Sequence, residues 1–387
     1  MSDQVLEAVR ELVPTLRERA QETEDARRVP DDTIRLLRET GFFRLLQPKR
    51  YGGYESDLVP FYTAVKTIAS ACGSTGWVAS VLGAHAWHVA TFPEQAQDDI
   101  WGDDPGTLVS SAYAPIGRAT RVDGGYRLSG TWNFSSGVDH AGAAIVGGLV
   151  MDADGKPTDW VAFLVPASDY QVNDVWRTVG LRGTGSNDIV MEDVFVPAHR
   201  VLSFADSYAC ECPGQEVNTA PLYKVPLYSM MTTTITTPLV GMAAGAYHAH
   251  VEHQRSRVRA FGGAKAKDDP FAKVRVAEAG SEIDAAWLQL THNITAVLDT
   301  AKAGRPVPTS LRLRLRRDQV RAGERAIAAV DRLFESSGAS ALAEGTPIQR
   351  FWRDAHAARV HVANDPEAAL KLFGDGEFGE QITAGML

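Results

Sequence analysis

Cysteine is scarce in this chain: there are three in 387 residues, Cys72, Cys210 and Cys212. A single residue separates Cys210 from Cys212, not the two found in zinc or dithiol pairs, and no His-Glu-x-x-His run occurs. Neither a disulfide framework nor a metal site is therefore expected, and a reducing, cytoplasmic setting fits. Positive charge is also short. With 39 Lys and Arg against 48 Asp and Glu, the formal net charge is -9, which argues against nucleic-acid binding, since that needs a basic stripe. No apolar run approaches the length of a membrane span. The segment Met1–Glu7 is acidic and amphipathic, without the basic start and apolar core of a signal peptide. A dinucleotide-binding glycine loop is missing too. Arg182-Gly183-Thr184-Gly185-Ser186 lacks the third glycine and precedes the strand-like run Ile189-Val190-Met191.

What is present is ordinary soluble-protein composition, 44% hydrophobic and 22% charged, arranged as helix, then strand, then helix. Leu6, Val9, Leu12, Val13 and Leu16 recur at helical spacing, and Pro30-Asp31-Asp32-Thr33 opens a second helix. Pro60 to Ala71 and Gly76 to Ala90 read as apolar helices, with another beginning at Pro93. Near residue 106 the pattern changes to short β-rich runs with dense Gly and Asp punctuation, continuing to about 205. These predict a compact antiparallel barrel or sandwich. Ala272 to Lys302 and Ser310 to Ser336 then predict long helices of a bundle. The expected domains are 1–105 (helical), 106–215 (β) and 216–387 (helical bundle). Arg312, Arg314, Arg316, Arg317, Arg321 and Arg325 crowd one helix. A solvated face accounts for them; a surface for the phosphates of a ligand across a subunit boundary is the sharper alternative.

The most informative stretch is Gly130-Thr131-Trp132-Asn133-Phe134-Ser135-Ser136-Gly137-Val138-Asp139-His140. It follows a hairpin signal, Asp123-Gly124-Gly125. Trp132 offers a flat apolar wall, the serine hydroxyls can bond a polar ring edge, and Gly137 permits close backbone approach. Such parts suit a grip on a planar heterocycle. A buried Trp on a strand ending in a Ser-Ser-Gly turn uses the same residues.

Helical start, central β region and helical end together resemble the acyl-CoA dehydrogenase superfamily, over nearly the whole chain. The resemblance rests on Gly130 to Gly137, on Leu181 to Asp188 followed by Val194-Phe195-Val196-Pro197, on Arg257-Val258-Arg259-Ala260-Phe261-Gly262, and on Arg350-Phe351-Trp352-Arg353-Asp354-Ala355. It implies an α+β fold: an N-terminal helical domain, a central antiparallel β-barrel or sandwich, and a C-terminal four-helix bundle. The departure is informative. Many of the dehydrogenases carry Tyr-Glu-Gly after the Arg-Asp helix, with the Glu as base, whereas this chain has His361 and Val362. Valine cannot take a proton.

A narrower resemblance covers Gly83-Ala84-His85-Ala86-Trp87, Ser110-Ser111-Ala112-Tyr113, Phe134 to His140, and Arg353-Asp354-Ala355-His356 to Pro366. These are similar to the oxygenase component of two-component flavin-dependent aromatic monooxygenases. The resemblance implies reduced FAD or FMN from a separate NAD(P)H:flavin reductase, dioxygen as co-substrate, and hydroxylation of a phenolic, polyketide or indole ring through a flavin C4a-hydroperoxide. It leaves open an acyl-CoA dehydrogenase or oxidase with a displaced base, and an N- or S-oxygenase. A homotetramer follows from the superfamily.

Residue by residue, the resemblance places Ser136 or Ser135 at flavin N5. Spacing within the monooxygenases favours Ser136, and register against the dehydrogenases favours Ser135. Trp132 would pack on the flavin face. His361 is nominated for proton transfer beside the oxygenated flavin, and His85 for the substrate hydroxyl, with Trp87 beside it. Ser111, and with it Ser110, would hold substrate or flavin edge. Histidine suits either role near neutral pH, although a buried histidine in an apolar helix also describes His85. Arg182 and Ser186 are candidate flavin contacts, and Arg257 and Phe261 candidate contacts to a neighbour's cofactor. His140 and His356 lie in matching motifs and could equally bond locally.

Overall fold

The computed structural model describes residues 1–258, 263 and 265–383. Six helices come first: α1 (Ser2–Glu18), α2 (Ala20–Asp25), α3 (Asp31–Glu39), α4 (Leu58–Ala71), α5 (Gly73–Val89) and α6 (Glu94–Trp101). Helix α5 is buried along nearly its whole length and apolar all round, as a central helix must be. Cys72, in extended conformation, both ends α4 and precedes α5, so the chain turns sharply between them.

Seven strands follow: β1 (Val109–Val122), β2 (Gly125–Ser135), β3 (Ala143–Met151), β4 (Pro157–Pro166), β5 (Gln171–Asn173), β6 (Asn187–Pro197) and β7 (Val201–Ser203). They form one sheet in the order β5-β6-β2-β1-β3-β4-β7. The sheet is mixed where the turn pattern predicted antiparallel pairing throughout. Strand β1 pairs in parallel with β3, from Val109↔Ala143 to Thr120↔Met151. The β1–β2 hairpin reverses the chain once, and a short turn at Val138–His140 reverses it again before β3 settles on the free edge of β1. Two reversals restore the original direction, a fact of pairing that no local run encodes.

Alternation divides the sheet into two faces. Val109, Ala143, Ile145 and Leu164 join the large core shared with the helices, whereas Ala112, Ala144, Val146 and Phe163 build a second core on the opposite side. Beyond the sheet come α7 (Phe204–Ala209), α8 (Leu227–Ser256), α9 (Pro270–Lys302), α10 (Thr309–Ser337), α11 (Pro347–Arg359) and α12 (Pro366–Glu377). Helices α8 to α11 make the bundle, and α8 also packs on α4 and α5.

Candidate active site

Helix α5 brings the pieces together. The Trp77 indole N–H donates to Ser136 Oγ at 3.0 Å, and its ring meets the His361 ring edge-on, with centroids 5.7 Å apart. Roughly two turns further along the same helix, about 12 Å of rise, His85 reaches β1. Helix α5 thus joins the Ser-Ser-Gly turn and the late histidine at Trp77, and its own His85 to β1 two turns further on, although these groups come from distant parts of the chain.

Hydrogen-bond partners fix what each group presents. A carbonyl only accepts, so the 2.7 Å contact between His85 Nδ1 and the Val109 carbonyl puts the proton on Nδ1. Nε2 is then bare and accepts from the Ser111 hydroxyl at 2.8 Å. Burial pushes the His85 pKa down to about 4, against the lesser opposing pull of the Val109 carbonyl, so the imidazole is neutral near pH 7. His361 is wired the other way. Its Nδ1 accepts the Ala363 backbone N–H at 3.1 Å, which leaves the neutral ring with its proton on Nε2. Desolvation by the surrounding atoms, and then the Arg316 guanidinium, lower its pKa.

The turn carrying His361 is held from beneath. Arg316 donates to the Ala363 carbonyl at 2.6 Å, and Asn364 Nδ2 donates to the Ala358 carbonyl at 2.9 Å. Asn364 Oδ1 accepts from Thr236 at 2.6 Å and from Gln319 at 3.0 Å. Arg316, one of the α10 arginines, is therefore a buried support rather than part of a solvated face. Val362, which the resemblance sets against the dehydrogenase base, is 79% exposed.

Ser136 sits at the head of a hydroxyl chain. Its Oγ is 2.7 Å from Ser186 Oγ, which is 2.7 Å from Thr184 Oγ1, which in turn donates to the Leu181 carbonyl at 2.9 Å. The Thr184 carbonyl also accepts the Gly137 N–H at 2.9 Å. Gly137 itself has φ +72°, and a Cβ there would lie 3.0 Å from Val78 and 3.1 Å from Leu82. Leu181 is anchored in turn, since its N–H donates to the Asp354 carboxylate at 2.6 Å. Burial raises the Asp354 pKa to about 6 against the opposing effect of that N–H. The Arg350–Asp354 motif is accordingly an anchor. Arg350 and Arg353 grip Glu24 at 3.0 and 2.6 Å, and Asp354 holds the Leu181 turn.

Several expected contacts take other places. Trp132 is completely buried, its indole N–H bonded to the Gly147 carbonyl at 2.6 Å within the second sheet core. Strand alternation turns it inward, so it has no free face for a flavin ring. Ser110 points away from its neighbour Ser111 for the same reason and is fully buried, as is Ser135. Ser186 supports Ser136 and is itself buried. Trp87 is buried and bonded to the Leu222 carbonyl at 2.7 Å. Arg182 is exposed on the turn beside Thr184. Arg257 donates to the Ser336 carbonyl at 3.0 Å, an attachment between α8 and α10. Phe261 lies outside the described residues. His140 pairs with Asp31 at 3.2 Å and His356 with Asp331 at 3.2 Å, so both are engaged locally.

Trp77, Thr184 and the buried His88 were not singled out from the sequence. An indole N–H inside a uniformly apolar helix gives no periodic signal, and Thr184 acts through a bond chain that only the fold creates. His88 is completely buried and bonded through Nδ1 to the Tyr113 hydroxyl at 2.8 Å. Grooves of about 520 Å³ between α8 and α9 (Tyr247, Gly280, Leu288) and about 610 Å³ near Arg50 and Trp101 are not lined by the His and Ser groups above and lack convergent chemistry.

Comparison with known proteins bears directly on this arrangement. Residues 2–102 match the family "acyl-CoA dehydrogenase, N-terminal domain", and residues 233–366 match "acyl-CoA dehydrogenase, C-terminal domain". The flavin-dependent monooxygenase oxygenase subunit HsaA of Rhodococcus jostii is 62% identical over 97% of this chain and 98% of its own. The chain belongs to the oxygenase subunits of flavin-dependent monooxygenases. The crystal structure of the HsaA monooxygenase from M. tuberculosis superposes with a TM-score of 0.96 at 54% identity, covering 100% of both chains. An FADH2-dependent resorcinol hydroxylase oxygenase component from Rhizobium is 37% identical over 94% of this chain and 91% of its own. Within this family the acyl-CoA dehydrogenase fold serves oxygenation, in keeping with the valine at position 362.

Proposed function

We propose that this oxygenase hydroxylates the ring of a phenol, using reduced flavin delivered by a separate reductase. The residues fit such a cofactor. Ser136 offers a hydroxyl, His361 an N–H, and Phe134, two residues before Ser136 and packed edge-on against Trp176, offers exposed aromatic surface. Ser136 would hold the ring edge and His361 would stand nearby as proton donor. Reduced FAD or FMN, when bound, supplies two electrons for dioxygen activation, so that one oxygen atom enters the substrate and the other leaves as water.

The observation that carries the phenol reading is the polarity of the His85–Ser111 pair. Ser111 spends its proton on His85 Nε2, so its oxygen is left as an acceptor. An acidic O–H on the substrate is the natural partner. As that proton shifts towards Ser111, the Ser111 proton shifts to His85, and the ring becomes the richer in electrons that electrophilic oxygen transfer needs. Burial keeps His85 neutral near pH 7, so its Nε2 lone pair is free to hold the Ser111 proton.

A homotetramer and a cytoplasmic setting belong to the same reading. The exposed apolar residues Phe271, Val274 and Leu288 along α9 support further subunit contact. No helix of the described residues is long and apolar enough to cross a membrane. The test supplies reduced FAD or FMN and ¹⁸O₂ with a panel of phenols and indoles, and follows product mass. One ¹⁸O atom in a catechol is expected. Hydrogen peroxide alone across the panel would overturn the reading, and labelled indole products without catechols would overturn the phenol assignment.

A further inference from the structure

Resting on the reading of Ser136 as the flavin-edge hydroxyl, we infer that Thr184 and Ser186 are positioning residues whose hydroxyl chain makes Ser136 an acceptor and thereby favours the reduced over the oxidised flavin. The direction of the chain follows from counting protons. Thr184 Oγ1 donates to the Leu181 carbonyl, which can only accept. Thr184 has no second proton, so the 2.7 Å contact with Ser186 is a donation from Ser186. Ser186 has then spent its own proton, so the 2.7 Å contact with Ser136 is a donation from Ser136. Ser136 also accepts the Trp77 N–H. Of its one donor and two acceptor positions, a single acceptor is left.

That remaining lone pair points to a ligand N–H. Flavin N5 carries a hydrogen when reduced and a bare lone pair when oxidised. The chain therefore matches the reduced ring and opposes the oxidised one without any charged group. It starts from rigid parts: Leu181 is tied to Asp354 through its N–H, and the Thr184 carbonyl ties down Gly137. Ser186 and Thr184 are buried, whereas Ser136 is partly exposed, so only the head of the chain meets a ligand. The two residues touch the hydroxyl, not the cofactor.

Thr184→Val tests the direction. Valine keeps the shape and cannot accept, so Ser186 is free to donate to Ser136, whose proton then turns outward. The ratio of oxidised-flavin to reduced-flavin Kd, measured by anaerobic fluorescence titration with FMN and FAD, should fall roughly tenfold, the scale of one hydrogen bond exchanged. For a two-electron couple this is a shift of about 30 mV in the bound-flavin potential. Thr184→Ser keeps the hydroxyl and should hold the ratio within about twofold. Ser186→Ala, which also releases the Ser136 proton, should lower the ratio as Thr184→Val does and serves where that variant does not fold. An unchanged ratio in Thr184→Val or in Ser186→Ala, or an equal fall in Thr184→Ser, would overturn the inference. Failure of the wild-type protein to bind either form would overturn the flavin site itself.

Discussion

His88→Asn should make the protein markedly less sensitive to acid. His88 and His85 are buried, and desolvation holds their pKa values at about 3 and about 4, with the neighbouring His85 depressing His88 further. An unfolded chain protonates each near pH 6.5. Between that pH and the folded values the unfolded state binds protons that the folded state refuses, so stability is full above pH 6.5 and falls as the pH drops. The slope is about 1.4 kcal/mol per pH unit for each proton. Asp354 works against them. Its pKa is raised to about 6 from 3.8, so the folded state keeps a proton that the unfolded state releases, and falling pH through this window is stabilising. It offsets one histidine. Removing His88 therefore takes away about 1.5 × 1.4, or ~2 kcal/mol, of acid destabilisation between pH 6.0 and 4.5. Asparagine retains a polar partner for Tyr113, and a loss of packing would lower the whole curve without changing its slope. Urea unfolding followed by tryptophan fluorescence across this range measures the difference. Parallel pH profiles for variant and wild type would refute the account of His88 as a forced-neutral group.

Other substitutions act on the reaction. Ser111→Ala should slow hydroxylation by roughly 10²-fold or more while reduced flavin is still consumed; product yield per flavin oxidised reads it, and an unchanged yield would remove Ser111 from the proton path. His361→Ala should raise the fraction of oxygen released as hydrogen peroxide, whereas His361→Gln, whose amide keeps an N–H, should retain more coupling; equal peroxide from both would show that the N–H is irrelevant. Gly137→Ala places a Cβ against Val78 and Leu82 on a backbone with φ +72°. It should cost about 1–2 kcal/mol or more and displace Ser136, measurable as a lower melting temperature together with weaker flavin binding.

The helical frame was legible because α1, α9 and α10 carry long periodic runs, and helix signals are local. The candidate groups were legible only as types. Phe134 to Gly137 is contiguous, so its serines could be nominated together, but which of them reaches the helices depends on which face of β2 is buried against which layer. Alternation relates Ser110 to Ser111, or Trp132 to its neighbours, without saying which side meets α5. Hence Trp132, a ring wall by its motif, is a core residue, while the indole beside Ser136 belongs to Trp77, from a helix whose uniform apolarity hides it. The parallel β1–β3 pairing was hidden for the same reason: strand runs announce themselves, and their partners do not.

The two histidines show why residue type was insufficient even where it was right. His85 and His361 are both pushed towards the neutral form, so pKa alone would give them the same chemistry. Their roles diverge at the other nitrogen. The Val109 carbonyl demands a proton from His85 Nδ1 and leaves Nε2 as an acceptor towards Ser111. The Ala363 N–H fills the lone pair of His361 Nδ1 and leaves Nε2 as a donor. One backbone acceptor and one backbone donor thus leave identical side chains with opposite free nitrogens, a hydrogen-bond acceptor on His85 and a hydrogen-bond donor on His361. The proposed oxygen transfer to a phenol would use both, because the ring must lose hold of its hydroxyl proton while the departing oxygen gains one. Neither histidine could be moved to the other's place without reversing its polarity, so the backbone at Val109 and Ala363 is as much a part of the site as the rings it orients.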